Sequence, residues 1–531
     1  LVVGLLIFLT GAPISYYAAR YGVDIDLLTR GAGFGYIGST ITSLIYASFT
    51  FIFFALEAAI LSQALEYCLG LPLEIGYLLN ALLVIPLVTH GFARIGAFQK
   101  WTQPLWIVLQ ILPFAGLIWA GVDILPWLEH RGVLQTGEGG IDLVMVAAAT
   151  GIGFALIAQI GEQVDFLRFL PKPQTRHDRL SWWFALISAG PGWAVIGTLK
   201  MLAGSFLTVL ILNAGIPAEA AIEPTKMYLA AYEQFLPPET ALVLTIGFVI
   251  LAQLKINVTN AYAGSIAWSN FFARITHSHP GRVVWLVFNV AIALMLMEFG
   301  VFGALENTLA IYSHVALAWV GAIAADLMIN LPLRLRPKRI EFRRAYLFDI
   351  NPVGVGAAVL ATLLSLVVSL GIFGDVLAAF SSWIAFGVAV IATPAIAWAT
   401  GGRYYLARQP AYRSGAGEHA CIICEHKFDR HDMVDCPFHR GSVCSLCCTL
   451  ESRCEDACKP QARLHSQIAT LAACLLPKRI QDAVLSRYGG FGLTFGAMVL
   501  IVGALLLIVY QNFQVVAPDA ADAVGRALGL S

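Results

Sequence analysis

The sequence predicts an all-α, polytopic membrane protein that carries one small cysteine-rich soluble module. Of its 531 residues, 58% are hydrophobic and only 12% are charged, and the mean hydropathy is +0.76. That composition is too apolar for a soluble globular domain and is typical of a chain that buries its helices in a bilayer. The exception is the stretch from Cys421 to Cys458, which holds eight of the ten cysteines.

Runs of about twenty mostly apolar residues, the length that crosses a bilayer as an α-helix, recur along the chain. They lie at 1–19, 34–68, 76–96, 103–122, 144–164, 182–213, 240–268, 282–301, 305–331, 352–374, 376–400 and 491–511. Glycine and proline interrupt two of these runs, at 151–161 and at 190–192, and such breaks are tolerated where they face protein or a cavity. Because the chain begins within an apolar run and without a methionine, we expect further residues of the protein before Leu1.

Lysine and arginine are concentrated in every second connection between these runs. They are Arg20, Arg30, Arg94, Lys100, Arg168, Lys172, Arg176, Arg179, Arg274, Arg282 and the run 334–344. By the positive-inside rule these connections are cytoplasmic, and acids such as Glu74, Asp123 and Asp375 occupy the intervening loops. The pattern predicts a multi-pass protein of the cell (inner) membrane whose cysteine-rich module faces the cytoplasm.

Three parts follow from these patterns. A membrane bundle occupies residues 1–402, and the cysteine-rich module occupies 403–487. The last part, 488–531, contains one further transmembrane helix and a short tail that we expect to be incomplete.

Several short segments of the bundle resemble the nucleobase:cation symporters, a family that includes purine, cytosine and hydantoin permeases. They are YGVD at 21–24, RGAGFG at 30–35, VDFLRF at 164–169, NVTNA at 257–261 and AD at 325–326. The resemblance covers residues 1–402 and implies a leucine-transporter-type fold, with two inverted five-helix repeats and a ligand site near the membrane midplane. Counted against that family, the first helix of the fold is missing from this chain.

Ionisable and amide side chains inside apolar segments are the candidate ligand-site residues, because such groups are costly in a bilayer unless they face the bundle interior. They are Glu57, Gln159, Glu162, Lys255, Asn257 and Asn260. By similarity to the family, Phe53 would stack on a planar heterocycle while Glu57 bonds its edge, and Phe154 would cover the other ring face. The alternative is that the polar groups only bond between helices and that both phenylalanines only pack.

Lys255 departs from the family pattern. The sodium-coupled members resemble one another in having a Ser/Thr pair just before the asparagine, where this chain has Lys255-Ile256. An ammonium would stand in place of the sodium ion, so we expect a transporter or receptor that does not use sodium. The lysine lies too deep to reach the membrane surface, and we expect it to pair with a group such as an acid on another helix or to lose its charge. A lysine in a water-filled vestibule without a role is the alternative.

The cysteine-rich module has the spacing of metal-binding knuckles. Its candidate ligands are Cys421, Cys424, Cys436, His439, Cys444, Cys447, Cys448, Cys454 and Cys458. Their order resembles a RING-type cross-brace, in which the first and third pairs hold one zinc and the second and fourth pairs hold another, with Cys448 as a substitute for His439. In the reducing cytoplasm disulfides are disfavoured, which leaves an iron–sulfur cluster or redox sensing as alternatives to two zinc ions.

Two functions account for this organisation. The first is a solute sensor, in which the transporter-like bundle is the input region of a signal-transduction protein, as in bacterial sensor histidine kinases with permease-like input domains. No kinase motif occurs in this sequence, so an enzymatic part would have to lie beyond Ser531. The alternative is a secondary transporter, a symporter or exchanger of a nucleobase-like solute, with the zinc module as a regulatory appendage. A third hypothesis is a membrane scaffold that binds no solute.

Both of the first two hypotheses predict the same kinds of partner. These are the lipid bilayer and a small polar solute such as a nucleobase. The sensor hypothesis adds a cytoplasmic signalling domain or partner. Nucleic acid is not an expected partner.

Overall fold

The computed structural model describes residues 1–130, 142–173, 175–298, 305–410 and 417–486, with a few positions between 488 and 499. The predicted last membrane helix, 491–511, lies outside the continuously described residues. Every predicted span before residue 403 contains a helix. The membrane-protein prediction is confirmed, since nine of the described helical segments are long and apolar enough to cross a bilayer.

Eighteen α-helices lie in the described residues of the bundle. They are α1 Val2–Tyr21, α2 Ile25–Thr29, α3 Ser39–Leu69, α4 Leu73–Thr89, α5 Phe92–Trp119, α6 Leu125–Glu129, α7 Leu143–Gly153, α8 Gln159–Leu167, α9 Arg176–Ala189, α10 Trp193–Asn213, α11 Ala218–Ala221, α12 Pro224–Glu233, α13 Pro238–Thr276, α14 Arg282–Glu298, α15 Leu305–Ala325, α16 Pro352–Ser369, α17 Asp375–Ala379 and α18 Ser381–Ala399.

Two long helices form the centre of one half of the bundle. α3 and α13 pack along each other, and α4 and α14 pack against both of them. On the other side, α15 packs against α16 and α18, and α1 packs against α8 and α10. Lys255 lies 17 residues after the start of α13 and 21 before its end, which at 1.5 Å per residue puts it about 26 Å and about 32 Å from the two ends. The middle of α13 is therefore deep in the bundle.

Both predicted helix breaks occur. The run 182–213 is divided at Gly190, whose backbone angles (φ −90°, ψ −116°) leave the helical region and separate α9 from α10. In the run 144–164, α7 ends at Gly153, a 3-10 turn covers Phe154–Ala158, and α8 follows. The boundary between α4 and α5 lies earlier than the hydropathy predicts, because Gly91 has a φ of +84° and ends the helical path there.

Where the structure describes it, the cysteine-rich module contains two hairpins and three α-helices. Its elements are β1 Glu418–Ala420, β2 Lys427–Asp429, β3 Met433–Cys436, β4 Gly441–Cys444, α19 Ser445–Leu450, α20 Leu464–Leu475 and α21 Lys478–Leu485. β1 pairs antiparallel with β2, and β3 with β4, where Val434 lies opposite Val443. The core is small, with Cys421, Met433, Val443 and Cys444 buried. So few apolar side chains cannot stabilise a domain of this size without additional cross-links.

Candidate functional site

The break between α7 and α8 positions polar side chains in the interior of the bundle. A 3-10 turn has 3.0 residues per turn instead of 3.6. The turn Phe154–Ala158 therefore rotates the side-chain positions of α8 relative to those of α7, so that the two helices present different faces to the interior. Gln159 and Glu162 then line an open cavity. Glu162 is 6% exposed, so its carboxylate is held away from bulk water.

Gly161 allows α8 to lie close against α3. A Cβ at this position would be 2.7 Å from the ring of Tyr46, which is closer than side-chain carbons approach in folded proteins. The Tyr46 hydroxyl in turn donates to Oδ2 of Asp165, at 2.9 Å. The absence of a side chain at Gly161 therefore fixes the distance between the helix that carries Glu162 and the scaffold helix α3.

The cavity has a volume of about 730 Å³, within the range of about 300–1,000 Å³ typical of small-molecule sites. Its walls come from α3, α5, α8, α9, α10 and α13. The polar lining residues are Glu57, Gln99, Gln103, Gln159, Glu162, Gln163, Lys200, Gln253, Lys255 and Thr259, and the aromatic ones are Trp106, Phe166 and Trp193. Carboxylates, ammonium groups and amides thus converge on one space beside the middle of α13.

Lys255 is bound to α5 by neutral groups. Its ammonium donates to the carbonyl oxygen of Gln99, at 3.2 Å, and to the hydroxyl of Thr102, at 3.0 Å. The Gln99 amide donates back to the carbonyl of Lys255, at 2.9 Å. We expected an acid as one partner; the partners found are a carbonyl and a hydroxyl, because Lys255 (7% exposed) points at the polar edge of α5. The contacts join α13 to α5 at the wall of the cavity.

Glu57 and Lys200 also line the cavity and interact electrostatically. The two side chains attract each other, and Gln253 lies beside the carboxylate of Glu57. The Lys200 ammonium is 5.3 Å from the centroid of the Trp106 ring, within the range of a cation–π interaction. Lys200 was missed from the sequence, although a lysine inside an apolar segment is the same signal that identified Lys255.

Gln163 orients one aromatic wall of the cavity. Its amide oxygen accepts from the indole nitrogen of Trp193, at 2.5 Å, and its amide nitrogen donates to the hydroxyl of Ser15, at 2.7 Å. Trp193 is therefore fixed by a bond to α8 and cannot rotate freely. Next to it, Oε2 of Glu162 is buried and has no hydrogen-bond partner among the described residues. A donor on a bound solute would satisfy that oxygen.

The other predicted ligand residues lie outside the cavity lining. Phe53 is half-buried and packs on Phe49, with ring centroids 4.5 Å apart. Phe154 is buried and packs edge-on against Trp383, at 4.8 Å. Both rings have the contacts of ordinary packing residues in this conformation.

Asn257 and Asn260 are fully buried in α13 and do not line the cavity, although Gln253, on the same face of the helix, does. Gly264 shares that face, and a Cβ there would lie 2.5 Å from the side chain of Asn289. The three positions are spaced three and four residues apart, so they point to the same side of the helix. That side packs against α14. The amides therefore contribute to helix packing in this conformation, and the structure does not bring them together with Glu162.

An ion-pair network closes one end of the bundle. Asp26 on α2 binds Arg30, at 3.1 Å, and Arg274 near the end of α13, at 2.9 Å. Asp24, which caps α2, binds Arg168 beyond α8, at 3.1 Å. Beside Asp24 and Asp26 there is a void of only about 10 Å³, room for about one water molecule. We conclude that this end is closed.

The cysteine-rich module brings the first and third predicted pairs together. The sulfur atoms of Cys421, Cys424, Cys444 and Cys447 all lie within 4.8 Å of one another, and those of Cys424 and Cys444 are 4.0 Å apart. Four thiolates at about 2.3 Å from a tetrahedral zinc ion would be about 3.8 Å apart. These four residues can therefore hold one metal ion with little rearrangement.

The surroundings of these sulfur atoms also fit a metal thiolate site. Backbone N–H groups of Ile423 and Cys444 point at the sulfur of Cys421, at 3.5 and 3.3 Å. Burial opposes ionisation of Cys421, but these backbone donors outweigh it and lower the pKa of the thiol to about 6. Donors of this kind stabilise the thiolates that ligate metals.

The remaining candidate ligands do not form a second group of this kind among the described residues. His439 Nε2 lies 2.7 Å from Oε2 of Glu451. This ring nitrogen is therefore engaged in a hydrogen bond with the carboxylate. Cys448 interacts electrostatically with Cys436 and Cys458, and burial raises the pKa of its thiol to about 12. The structure thus separates the predicted ligands into one assembled set and one looser set.

Comparison with known proteins finds similarity in the fold. No protein-family model and no curated protein matches the sequence. Among solved structures, the chain is similar to Mhp1, a nucleobase-cation-symport-1 family transporter, in a closed conformation with bromovinylhydantoin bound. The TM-score is 0.52 at 15% sequence identity, and the match covers 75% of this chain and 84% of Mhp1. The inward-facing conformation of Mhp1 matches with the same TM-score and identity, covering 75% of this chain and 82% of Mhp1.

A sodium-coupled sialic acid symporter also matches, with a TM-score of 0.44 and 14% identity over 75% of this chain and 89% of that chain. The identities are too low to assign function, but the Mhp1 matches establish the fold. The chain has the leucine-transporter-type helical fold that its sequence motifs imply.

Proposed function

We propose that this chain is a secondary transporter that moves a small polar solute through the cavity between α5, α8 and α13. The observation that carries the proposal is the cavity itself, about 730 Å³ in volume and lined by two glutamates, two lysines and several glutamines beside the middle of the long apolar helix α13. Charged groups are retained within membrane spans where they serve a solute or ion pathway. The closed ion-pair network at one end of the bundle fits a conformation that seals one side of such a pathway.

The proposed solute is a small planar heterocycle such as a nucleobase or a hydantoin. Trp106, Trp193 and Phe166 offer ring faces, and the glutamines around them offer paired donors and acceptors. The Mhp1 structure contains bromovinylhydantoin, which is the same class of molecule. Glu162 would bind a ring N–H of the solute through its unpartnered carboxylate oxygen.

The proposed driving force is a proton gradient or solute exchange instead of sodium. The ammonium of Lys255 already fills a position between α13 and α5 and is satisfied by two oxygen atoms. Glu162 and Glu57 are the cavity acids that can exchange a proton with the solute or with water.

The transporter hypothesis is favoured over the sensor hypothesis that the sequence first suggested. The similar solved structures are transporters, and no described feature points to signalling. The sensor, with an output domain beyond residue 531, therefore becomes the second hypothesis. It would be preferred if the transport assay detected no flux.

For the module we propose two zinc ions and a cytoplasmic location. The first ion is assigned to Cys421, Cys424, Cys444 and Cys447. The second is assigned to Cys436, Cys448, Cys454 and Cys458, because His439 is hydrogen-bonded to Glu451. The basic connections next to the module support the cytoplasmic assignment. The division at residues 402 and 487 is likewise a proposal.

Uptake into liposomes tests the proposed function. The purified chain would be reconstituted with an inward proton gradient and supplied with radiolabelled uracil, cytosine, hypoxanthine and benzylhydantoin. Accumulation of any of these above empty liposomes, abolished by an uncoupler, is the expected result. Specific binding of one of them without any flux, under a gradient or in exchange, would contradict the transporter and return the bundle to a receptor.

A further inference from the structure

The cysteine-rich module is anchored to the bundle by buried charged groups. The connecting segment, defined here as residues 331–351 between α15 and α16, supplies most of them. Arg343 donates to the carbonyl of Met433, at 2.6 Å, and Arg344 forms an ion pair with Asp456, at 2.9 Å. Both guanidinium groups are almost fully buried. Such partners are expensive to separate, so the module and the connecting segment behave as one unit.

Helix α19 connects the metal site to this anchor. It carries the metal-site residue Cys447, whose N–H donates to the sulfur of Cys444, at 3.4 Å. The carbonyl oxygens of Cys448 and Thr449, one and two residues further on, accept from Arg344, at 3.0 and 3.3 Å. A helix of six residues is not stable by itself. Its order therefore depends on its neighbours, and a metal ion held by Cys444 and Cys447 would fix its first turn.

The same helix also contacts α13. Nδ1 of His277, the residue that ends α13 in a left-handed conformation (φ +51°), lies 3.0 Å from the carbonyl oxygen of Thr449. Three residues earlier, Arg274 holds Asp26 in the network that closes this end of the bundle. α13 also forms a wall of the cavity. One helix thus runs from the metal module to the candidate solute site.

The connecting segment extends the contact to the start of α3. The carbonyl oxygen of Asp349 accepts from the N–H groups of Ile37, at 2.7 Å, and Gly38, at 2.9 Å. Its carboxylate binds Lys459 of the module, at 2.6 Å. The buried ring of Tyr36 lies under the Lys459 ammonium, 5.4 Å from it. The module is therefore joined to the beginning of α3 as well as to the end of α13.

On its other side the module faces the bundle across a gap. A cavity of about 270 Å³ separates Asp429 and Asp432 of the module from Arg20 at the end of α1 and Lys172 after α8. Asp432 is attracted to Arg343 of the connecting segment and, more weakly, to Lys172 across the cavity. The module is thus fixed to the α3 and α13 side by direct bonds and faces the α1 and α8 side with opposite charge.

We propose that a thiophilic metal ion such as zinc, bound by Cys421, Cys424, Cys444 and Cys447, controls transport by stabilising the closed end of the bundle. In this proposal the metal orders α19, and α19 then holds the end of α13 and the connecting segment. The ordered module also presents Asp429 and Asp432 to the basic residues at α1 and α8. The control of transport rests on the proposed function. The coupling between metal site and bundle does not, and it can be measured without any solute.

Hydrogen–deuterium exchange on the purified full chain in nanodiscs is the test. Metal binding is first followed by the thiolate charge-transfer absorption of Co²⁺ at the site. Removal of metal with a chelator is expected to raise exchange at least about tenfold in peptides covering 268–277, 339–351 and 445–451, since metal sites supply folding free energy. Re-addition of Zn²⁺ should restore protection, and a peptide from α16 should not change.

Two variants and a control separate metal binding from the coupling of the metal site to the connecting segment. Cys424→Ser removes a ligand and should give the exchange pattern of the chelated protein with or without Zn²⁺. Arg344→Ala keeps all four cysteines, so it should still bind Co²⁺ but lose the metal-dependent protection of 339–351. Lys427→Ala, which removes an exposed charge of the same module, should behave like the parent protein.

The outcomes distinguish this proposal from the proposed function. If chelation empties the site and exchange at 268–277 and 339–351 stays unchanged, the coupling is overturned, as it is if the chain binds no Co²⁺. If exchange responds as expected but no solute is transported, the coupling stands and the transporter assignment fails. If transport occurs at the same rate with and without metal, the control of transport is overturned.

Discussion

Lys459 and Asp349 form an ion pair in which the ammonium nitrogen lies 2.6 Å from Oδ1 of the carboxylate, and both side chains are buried. The other carboxylate oxygen accepts from the N–H of Leu464, at 2.7 Å, and the Asp349 N–H donates to the carbonyl of Ala462, at 2.9 Å. One aspartate at the start of a membrane helix therefore binds three residues of the cysteine-rich module.

We expect Lys459→Met to weaken the attachment of the module. Removing one partner of a buried pair leaves the other charge unpaired and costs about 3–5 kcal/mol. Limited proteolysis of the solubilised protein should cleave the module much faster than in the parent. The double variant Lys459→Met/Asp349→Asn should recover part of the loss, because the unpaired charge is gone.

The exposed Lys427 provides the matched control, and Lys427→Met should leave the cleavage rate unchanged. Equal cleavage of the Lys459→Met variant and the parent would show that the ion pair does not hold the module in place.

The sequence predicted the module but not its attachment. Paired cysteines at short spacing identify a metal site because the ligands are local, and four of the predicted cysteines do assemble. Lys459 and Asp349 are 110 residues apart, and no periodic pattern relates them. Likewise Glu451 lies 12 residues after His439 and could not be identified as the partner of that histidine from spacing alone.

A second prediction concerns Gly161. An alanine there would bring its Cβ to 2.7 Å from the Tyr46 ring, and overpacking of this kind costs about 1–3 kcal/mol. Because α8 must move to relieve the contact, Glu162 would be displaced. We expect Gly161→Ala to lower the melting temperature in detergent and to lower uptake.

Gly247 of α13 is the control, since a Cβ there meets no atom within 4 Å. Replacing it with alanine should be neutral or stabilising by about 0.5–1 kcal/mol, because glycine inside a helix is entropically costly. If the Gly161 variant melted and transported like the Gly247 variant, close packing of α8 on α3 would not be required.

The candidate site was predicted only in part, because a sequence pattern identifies polar residues within one helix but not the contacts between helices. Glu57, Gln159, Glu162 and Lys255 were identified because charged and amide groups are rare in apolar segments, and all four line the cavity. Gln99 and Trp193 were not, because their place in the wall depends on how α5 and α10 pack. Asn257 and Asn260 carry the same polar signal but do not line the cavity. Which part of a polar helix face meets a cavity depends on how α13 packs against its neighbours.

A third prediction is that uptake does not require sodium. The side-chain nitrogen of Lys255 is bound by oxygen atoms of Gln99 and Thr102 and stands where the sodium-coupled family pattern has a Ser/Thr pair. Replacing external sodium by choline should leave the initial rate of uptake unchanged. Uptake that collapses in choline would show that a sodium site exists elsewhere in the chain.

Lys255→Met should reduce uptake by about tenfold or more, since it removes two hydrogen bonds from a charged group, each worth about 1.5–3 kcal/mol. The control is Lys226→Met, which removes a lysine paired with Glu223 on the partly exposed helix α12, at 2.9 Å. That variant should transport at the parent rate, and a comparable loss in both variants would argue against a specific role for Lys255.

The last prediction separates solute binding from coupling at Glu162. Its carboxylate oxygen Oε2 is buried without a hydrogen-bond partner among the described residues, so it is available to a solute donor and to a proton. Glutamine keeps the shape and the acceptor but cannot carry a proton. Glu162→Gln should therefore retain solute exchange across liposomes while losing the accumulation that is driven by a proton gradient.

Glu239→Gln is the matched control for this variant, because Glu239 is an exposed acid in the first turn of α13. It should keep both exchange and gradient-driven accumulation. Loss of exchange together with accumulation in Glu162→Gln would mean that the carboxylate is needed to bind the solute. Retention of full accumulation would instead transfer the coupling role to Glu57, the other acid in the cavity wall, where the same substitution and the same pair of assays can be applied.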